Sequence, residues 1–402
     1  MKPASWSQVL FVVMTVFLAQ ATGHSQQVRQ RSAIRHESVS QTQPRWYSLV
    51  VPLSSRVTPE MVRNAVAAGT TLPMWDYTVT SPIDGNSYTG SMVGRSPFFH
   101  GKRTTGIQVF IIPVIVDMPD GGVFDPTAPD PTCSPAGTAV TLTQQSPIIQ
   151  PAPFSMGPTA VGTAQYVDAF QRGNFWTNFP DTGSYHTVLS PVTTLSAITV
   201  TVPSGSGVTC NASLFGGCGY IGEMDNTSFD SDLQNTIIPA LASQGVGPNT
   251  LPIFLFYNVW QTQGPPDLTC STVGGFSYHG AYGSPPQTYS VVNYDTSGVF
   301  AGGNVSIMSH EVAEWMDDPL GTNPTPAWGN VGQVQGCQNN LEVGDPLTGT
   351  LFPSVTMSNG FTYDLQELAF FSWFFRQSPS IAVNGWYSDY DTFTSGQSTV
   401  CQ

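Results

Sequence analysis

The stretch Ser306-Ile-Met-Ser-His310-Glu311-Val-Ala-Glu314-Trp-Met-Asp317-Asp318-Pro319 limits what this chain can become more than any other. Placed on a helix at about 100° per residue, it separates into two arcs. Val305, Met308, Val312, Trp315 and Met316 form an apolar stripe suited to burial. His310, Glu311, Glu314, Asp317 and Asp318 fall on the opposite arc, with only Ile307 among them. Asn304 stands where it can cap the start, and Pro319 bars continuation. Only 9% of the chain is charged, so such a concentration of carboxylates needs a reason. Like charges one turn apart repel, and a metal ion is the simplest compensation.

The spacing sharpens that expectation. His310 and Glu314, at i and i+4, can grip one ion, while Glu311 lies one step around the helix, within reach of a metal-bound water. This is the His-Glu-x-x-His zinc helix with Glu314 in place of the second histidine. The plain alternative is a surface helix carrying an ordinary His-Glu pair.

Compartment follows from the ends and the cysteines. Lys2, the apolar run Val9–Leu18 and Ala19-Gln-Ala21 read as a secretory signal over residues 1–21. That run is too short to span a bilayer, and no other apolar stretch reaches the necessary length. Residues 22–45 read as a disordered leader, and 46–402 as one composite domain: a β-rich part to 269 and a metal-site part from 270. The net charge of −14 argues against nucleic acid and anionic membranes as partners. Six cysteines, at 133, 210, 218, 270, 337 and 401, predict disulfides in an oxidising compartment, with Cys210–Cys218 the favoured local pair.

Strands are predicted over Trp46–Leu53, Met74–Thr80, Ser87–Val93, Gly106–Val116, Val140–Leu142, Leu251–Val259 and Thr288–Asn293, with two more around Val188 and Ile198–Val202. Pro113 inside its run predicts an edge strand or a bulge. Helices are predicted from Pro59, capped by Thr58, and over Thr163–Trp176 and Asp230–Ala242. His100 and His186 fall in loops and take no role. The fold class expected is α+β: a β-rich secreted protein with a zincin-like metal helix in its C-terminal third.

From about Cys270 to Phe375 the chain resembles the plant phosphate-induced, or EXORDIUM-like, secreted proteins. Gly275-Phe276 and His279 after Cys270, Met308-Ser-His310-Glu311-Val-Ala-Glu314, Asp318-Pro319-Leu320, Ala327-Trp328, Leu341-Glu342-Val-Gly-Asp345 and Thr362-Tyr363 carry the resemblance. The chain departs from that family in lacking a cysteine shortly after Asp345. At motif level it is also similar to zincin metallopeptidases with a glutamate as third ligand. That similarity implies metal ligands His310, Glu314 and Glu342, with Glu311 as general base and Asp345 as partner of Glu342. His279 is read first as a turn cap, with metal or substrate binding as alternatives, and Asp317 as a helix-end charge or spare ligand. The zinc-helix pattern makes zinc the first expectation, but a His-Glu-Glu set nearly neutralises a divalent cation, makes it a weaker Lewis acid and admits the harder Mn²⁺ or Ca²⁺ more readily than a two-histidine site. Two functions remain open. One is a secreted metal-dependent hydrolase acting on peptide or another extracellular polymer. The other is a non-enzymatic extracellular protein with a structural cation. The aromatic run Leu365–Phe375 is read as core packing, with a cleft wall as the alternative.

Overall fold

Apolar side chains that alternate between two faces leave the middle of this molecule no face for water. The computed structural model describes residues 44–100, 103–178, 184–329, 337–349 and 353–396. The expected signal, most of the leader and Cys401 lie outside the described residues. In chain order the 11 strands of the main sheet are β1 (Arg45–Val51), β2 (Thr104–Asp117), β3 (Val123–Phe124), β4 (His186–Thr194), β5 (Ile198–Thr201), β6 (Gly207–Asn211), β7 (Tyr220–Asp225), β8 (Thr250–Tyr257), β9 (Val259–Thr262), β10 (Gly274–Tyr282) and β11 (Gln287–Tyr294). Their order is β6-β7-β9-β10-β11-β8-β2-β3, with β1 beside β10 and both β4 and β5 beside β2. Pairing is parallel along β11-β8-β2-β4 and between β1 and β10, and antiparallel between β10 and β11. The architecture is mixed and strand-rich, consistent with α+β.

The two faces read directly from period-2 alternation. Ile107, Val109 and Ile111 of β2, with Leu251, Ile253 and Leu255 of β8, pack into the larger core. Phe110, Ile112 and Val114, with Phe254 and Phe256, pack into a second core on the other face. Phe229, Leu233, Ile238 and Leu241 from the helical run 226–244 cover that second face. Helices α1 (Pro59–Ala68), α2 (Ala139–Gln145), α3 (Tyr166–Asn174) and α4 (Ser306–Asp317) contribute to the larger core.

Several predicted elements stand as read. Thr58 caps α1 through the amide of Met61, Met74–Thr80 and Ser87–Val93 pair as a hairpin, and β8 is buried along its whole length. Three readings are corrected. Val140–Leu142 lies in α2, because Thr138 and Thr141 cap its start reciprocally and outweigh a short β-prone run. Pro113 is not on an edge strand: β8 flanks it on one side, and on the other the partner changes from β4 to β5 near this residue. A residue without an N–H is tolerated where a neighbour is interrupted. The third is the pairing of the cysteines. Cys210 bonds Cys270 and Cys218 bonds Cys133. The turn Ala212–Phe215 separates Cys210 from Cys218, whose amide instead donates to the Ser297 carbonyl. The aromatic segment 365–375 is core, with Trp373, Phe374 and Phe375 fully buried.

Candidate metal centre

Helix α4 has no solvent face at all. Every residue from Ser306 to Asp317 is buried, the polar arc as completely as the apolar one. Met308, Val312, Trp315 and Met316 enter the larger core, and the Trp315 indole N–H donates to Thr288 Oγ1 on β11 at 2.9 Å. The polar arc is pressed against β1 and β10. Asn304 does not cap the helix; its Oδ1 accepts from its neighbour Val305 and from the amide of Asp364.

Alternation along two strands decides what this arc meets. On β1, Tyr47 and Leu49 go to the far core, which turns Ser48 towards α4; on β10, Phe276 and Tyr278 do the same and turn Ser277 and His279 towards it. Ser48 Oγ lies 2.9 Å from Glu311 Oε1 and 2.9 Å from Glu314 Oε2, and Ser277 Oγ donates to Glu311 Oε1 at 2.5 Å. The loop after strand Cys337–Asn340 closes the site with Glu342 and Asp345. Neither lies on a later α-helix; Asp345 opens a short 3₁₀ turn.

The acceptor-rich side chains come together without satisfying one another. His310 Nε2 lies 2.9 Å from Glu314 Oε1 and 3.6 Å from Asp345 Oδ1. His279 Nδ1 lies 3.7 Å from Glu311 Oε2 and 3.9 Å from Glu342 Oε2. Both nitrogens of His310, His279 Nδ1, Glu311 Oε2 and Glu342 Oε2 are buried without an aligned hydrogen-bond partner. Leaving such atoms unpaired costs about 1–3 kcal/mol each, more when charged. Separations of 3.6–3.9 Å are too long for hydrogen bonds. They suit donors sharing one ion, since ligands about 2.1 Å from a tetrahedral cation stand about 3.4 Å apart.

The titration tendencies describe the same mismatch. Burial pushes Glu311, Asp345 and Glu342 upwards, Glu342 furthest because Glu314, Asp318 and Asp345 add repulsion. Burial would lower both histidines, yet the carboxylates outweigh it. Glu311 holds His279 above its ordinary value, and Glu314 with Asp345 holds His310 well above. Glu314 is also driven up by burial, but His310 prevails and leaves it lowered. The cluster His310, Glu314 and Asp345, and the cluster His279, Glu311 and Glu314, can each hold a metal ion.

The sequence-derived residues are distributed as follows. His310, Glu314, Glu311, Glu342, Asp345 and His279 all converge. Asp317 points elsewhere: its carboxylate accepts from the side chains of Gln171 and Asn174 on α3, and burial raises it to about 8. Asp318 organises the following turn through the amides of Thr322 and Asn323. His279 caps no turn; it is in mid-strand on β10, with Nε2 3.0 Å from the Asp318 carbonyl. Sequence reading missed Ser48 and Ser277. The polar positions 277 and 279 alternating with Phe276 and Tyr278 were the available signal. His186 is likewise in β4 rather than a loop, 2.6 Å from the buried Asp168.

No protein-family model, no curated protein and no solved structure matches the chain.

Proposed function

We propose that this is an exported metalloprotein in which divalent cation at the α4 centre ties β1, β10, α4 and the 341–345 loop into one unit. The observation that carries this reading is the set of buried, unpartnered donor atoms on His279, His310, Glu311 and Glu342. Burying several carboxylates without compensation would cost many kcal/mol, whereas a bound divalent ion converts the same groups into a source of folding free energy. The donor set is rich in oxygen, so Zn²⁺, Mn²⁺ and Ca²⁺ are all admissible. Two disulfides fit an oxidising compartment, and among the described residues no helix is long and apolar enough to cross a membrane. The resemblance to EXORDIUM-like proteins supports the same location.

Hydrolysis is the second reading, favoured by Glu311. One oxygen of its carboxylate is held by Ser48 and Ser277, and the other is unsatisfied and aimed into the cluster, as a base acting on metal-bound water would be. Enclosure weighs against it: His279, His310, Glu311 and Glu314 are 0% exposed, Glu342 2% and Asp345 5%. Elemental analysis of protein purified without chelators tests the first reading, which requires bound divalent metal and fails if none is present and none binds on titration. Assay of the metal-loaded protein on mixed peptides tests the second. Under hydrolysis, Glu311→Gln keeps the metal and loses on the order of a hundredfold in rate or more. Absence of any cleavage by wild type leaves the structural cation.

A further inference from the structure

The donor atoms around α4 fall into two sets rather than one. His310 Nε2, Glu314 Oε1 and Asp345 Oδ1 form the first, within 3.6 Å of the histidine nitrogen. His279 Nδ1, Glu311 Oε2 and Glu342 Oε2 form the second, within 3.9 Å of theirs. Glu314 belongs to both clusters. Its two oxygens are differently engaged. Oε1 faces His310 and accepts the amides of Gly344 and Asp345 at 3.2 and 3.1 Å, while Oε2 faces Ser48, which also contacts Glu311.

The tautomer of His279 adds an independent constraint. Nε2 is 3.0 Å from the Asp318 backbone carbonyl, an acceptor only, so Nε2 carries the proton. Nδ1 is then the nitrogen turned to the Glu311 and Glu342 carboxylates, at distances too long for hydrogen bonds, and as a neutral metal ligand the ring would offer its lone pair there. A carbonyl fixing the far nitrogen of an imidazole is the usual outer partner of a metal-ligating histidine. Charge points the same way. Ligating histidines are neutral, and the two sets contain four carboxylates, Glu311, Glu314, Glu342 and Asp345. One divalent ion leaves two of those four negative charges uncompensated, whereas two ions match them; the neighbouring Asp318 carboxylate is instead met by the amides of Thr322 and Asn323.

We propose that the centre is dinuclear: two divalent cations bridged by the Glu314 carboxylate, one completed by His310 and Asp345, the other by His279, Glu311 and Glu342. The inference rests on the metal-centre reading above and adds its stoichiometry and bridge. It makes Glu311 a ligand. Carboxylate-bridged ions in such sites stand about 3.5–4 Å apart, close enough to couple magnetically.

The test is titration of the metal-stripped full-length mature protein with Mn²⁺, counting bound ions by elemental analysis and following electron paramagnetic resonance. Two ions per chain, with the sharp manganese sextet replaced by an exchange-broadened signal as the second ion enters, is the expected result. One ion per chain with an isolated sextet overturns the dinuclear centre while leaving the metal reading standing. No binding overturns both. His279→Ala and Asp345→Ala are each expected to go from two ions to one and to recover the sextet. Two ions retained by His279→Ala would overturn the assignment, and the wild-type signal decides the matter even if a variant fails to fold.

Discussion

At the scale of single residues, Ser48 shows how closely the site is specified. One hydroxyl has a single proton, yet it stands 2.9 Å from two carboxylate oxygens on successive turns of α4. Ser48→Ala is expected to lower stability by about 1–3 kcal/mol in urea denaturation. It should also weaken metal affinity by about 10–100-fold in a competition titration, because outer partners orient the ligands. Gly344 is a second such point. A Cβ there would lie 2.4 Å from His310 Nδ1, so Gly344→Ala is expected to displace the ring and empty at least the His310 half of the centre. Retention of full metal content by Gly344→Ala would show that the ring is not held where the ligand set requires it. The candidate ligands on α4 were legible because acidic residues are scarce in this chain and their spacing there is periodic, and Glu342 and Asp345 only through the resemblance to zincins. Ser48 and Ser277 were not, and His279 was legible only as an alternative ligand. Strand alternation gives the face on which they lie, but nothing local says which helix covers that face.

At the scale of elements, legibility followed whether local chemistry and tertiary burial agreed. The hairpin strands 74–80 and 87–93 and helix α1 carry their own turn and cap signals, and each formed as read. Helix α2 is the opposite case: a β-prone run is made helical by hydroxyls at 138 and 141 that bond across the N-terminus. Thr138→Ala is therefore expected to cost about 1 kcal/mol, read from the midpoint of chemical denaturation. A change below a few tenths would mean that packing alone sets this helix. The two disulfides were not legible either, since each joins segments 60 or 85 residues apart and depends on sheet order rather than sequence proximity.

At the scale of the whole molecule, buried acids set the response to pH. Burial raises Asp389 to about 8, helped by Glu367, although Tyr166 and the amide of Leu368 hydrogen-bond its carboxylate. Burial likewise raises Glu223 to about 8. An unfolded chain releases the Asp389 proton near 3.8, whereas the folded one keeps it until about 8. The folded state thus binds more protons in between, and stability falls as pH rises through that window and levels off above it. Asp389→Asn is expected to flatten this part of the curve, measured as the difference in Tm between variant and wild type from pH 4 to pH 9 at constant metal. An unchanged slope would remove Asp389 as its cause. Opening Cys210–Cys270, which closes a 60-residue separation, is expected to cost about 4 kcal/mol by the loop-entropy relation. Stability curves of the Cys210→Ser, Cys270→Ser double variant would measure it.

Ser48 reaches its carboxylate partners across 263 and 266 positions of chain. Read as a timetable, this makes the first described strand wait for nearly the last ligands. While the chain is being synthesised, β1 emerges with its parallel partner β10 still unmade, and α4 emerges before the loop carrying Glu342 and Asp345 that closes over it. A newly made chain therefore spends its early life as an unpaired strand and an acidic helix. A cation bound by the full set of side chains on α4, β10 and the 341–345 loop would therefore close the assembly rather than begin it.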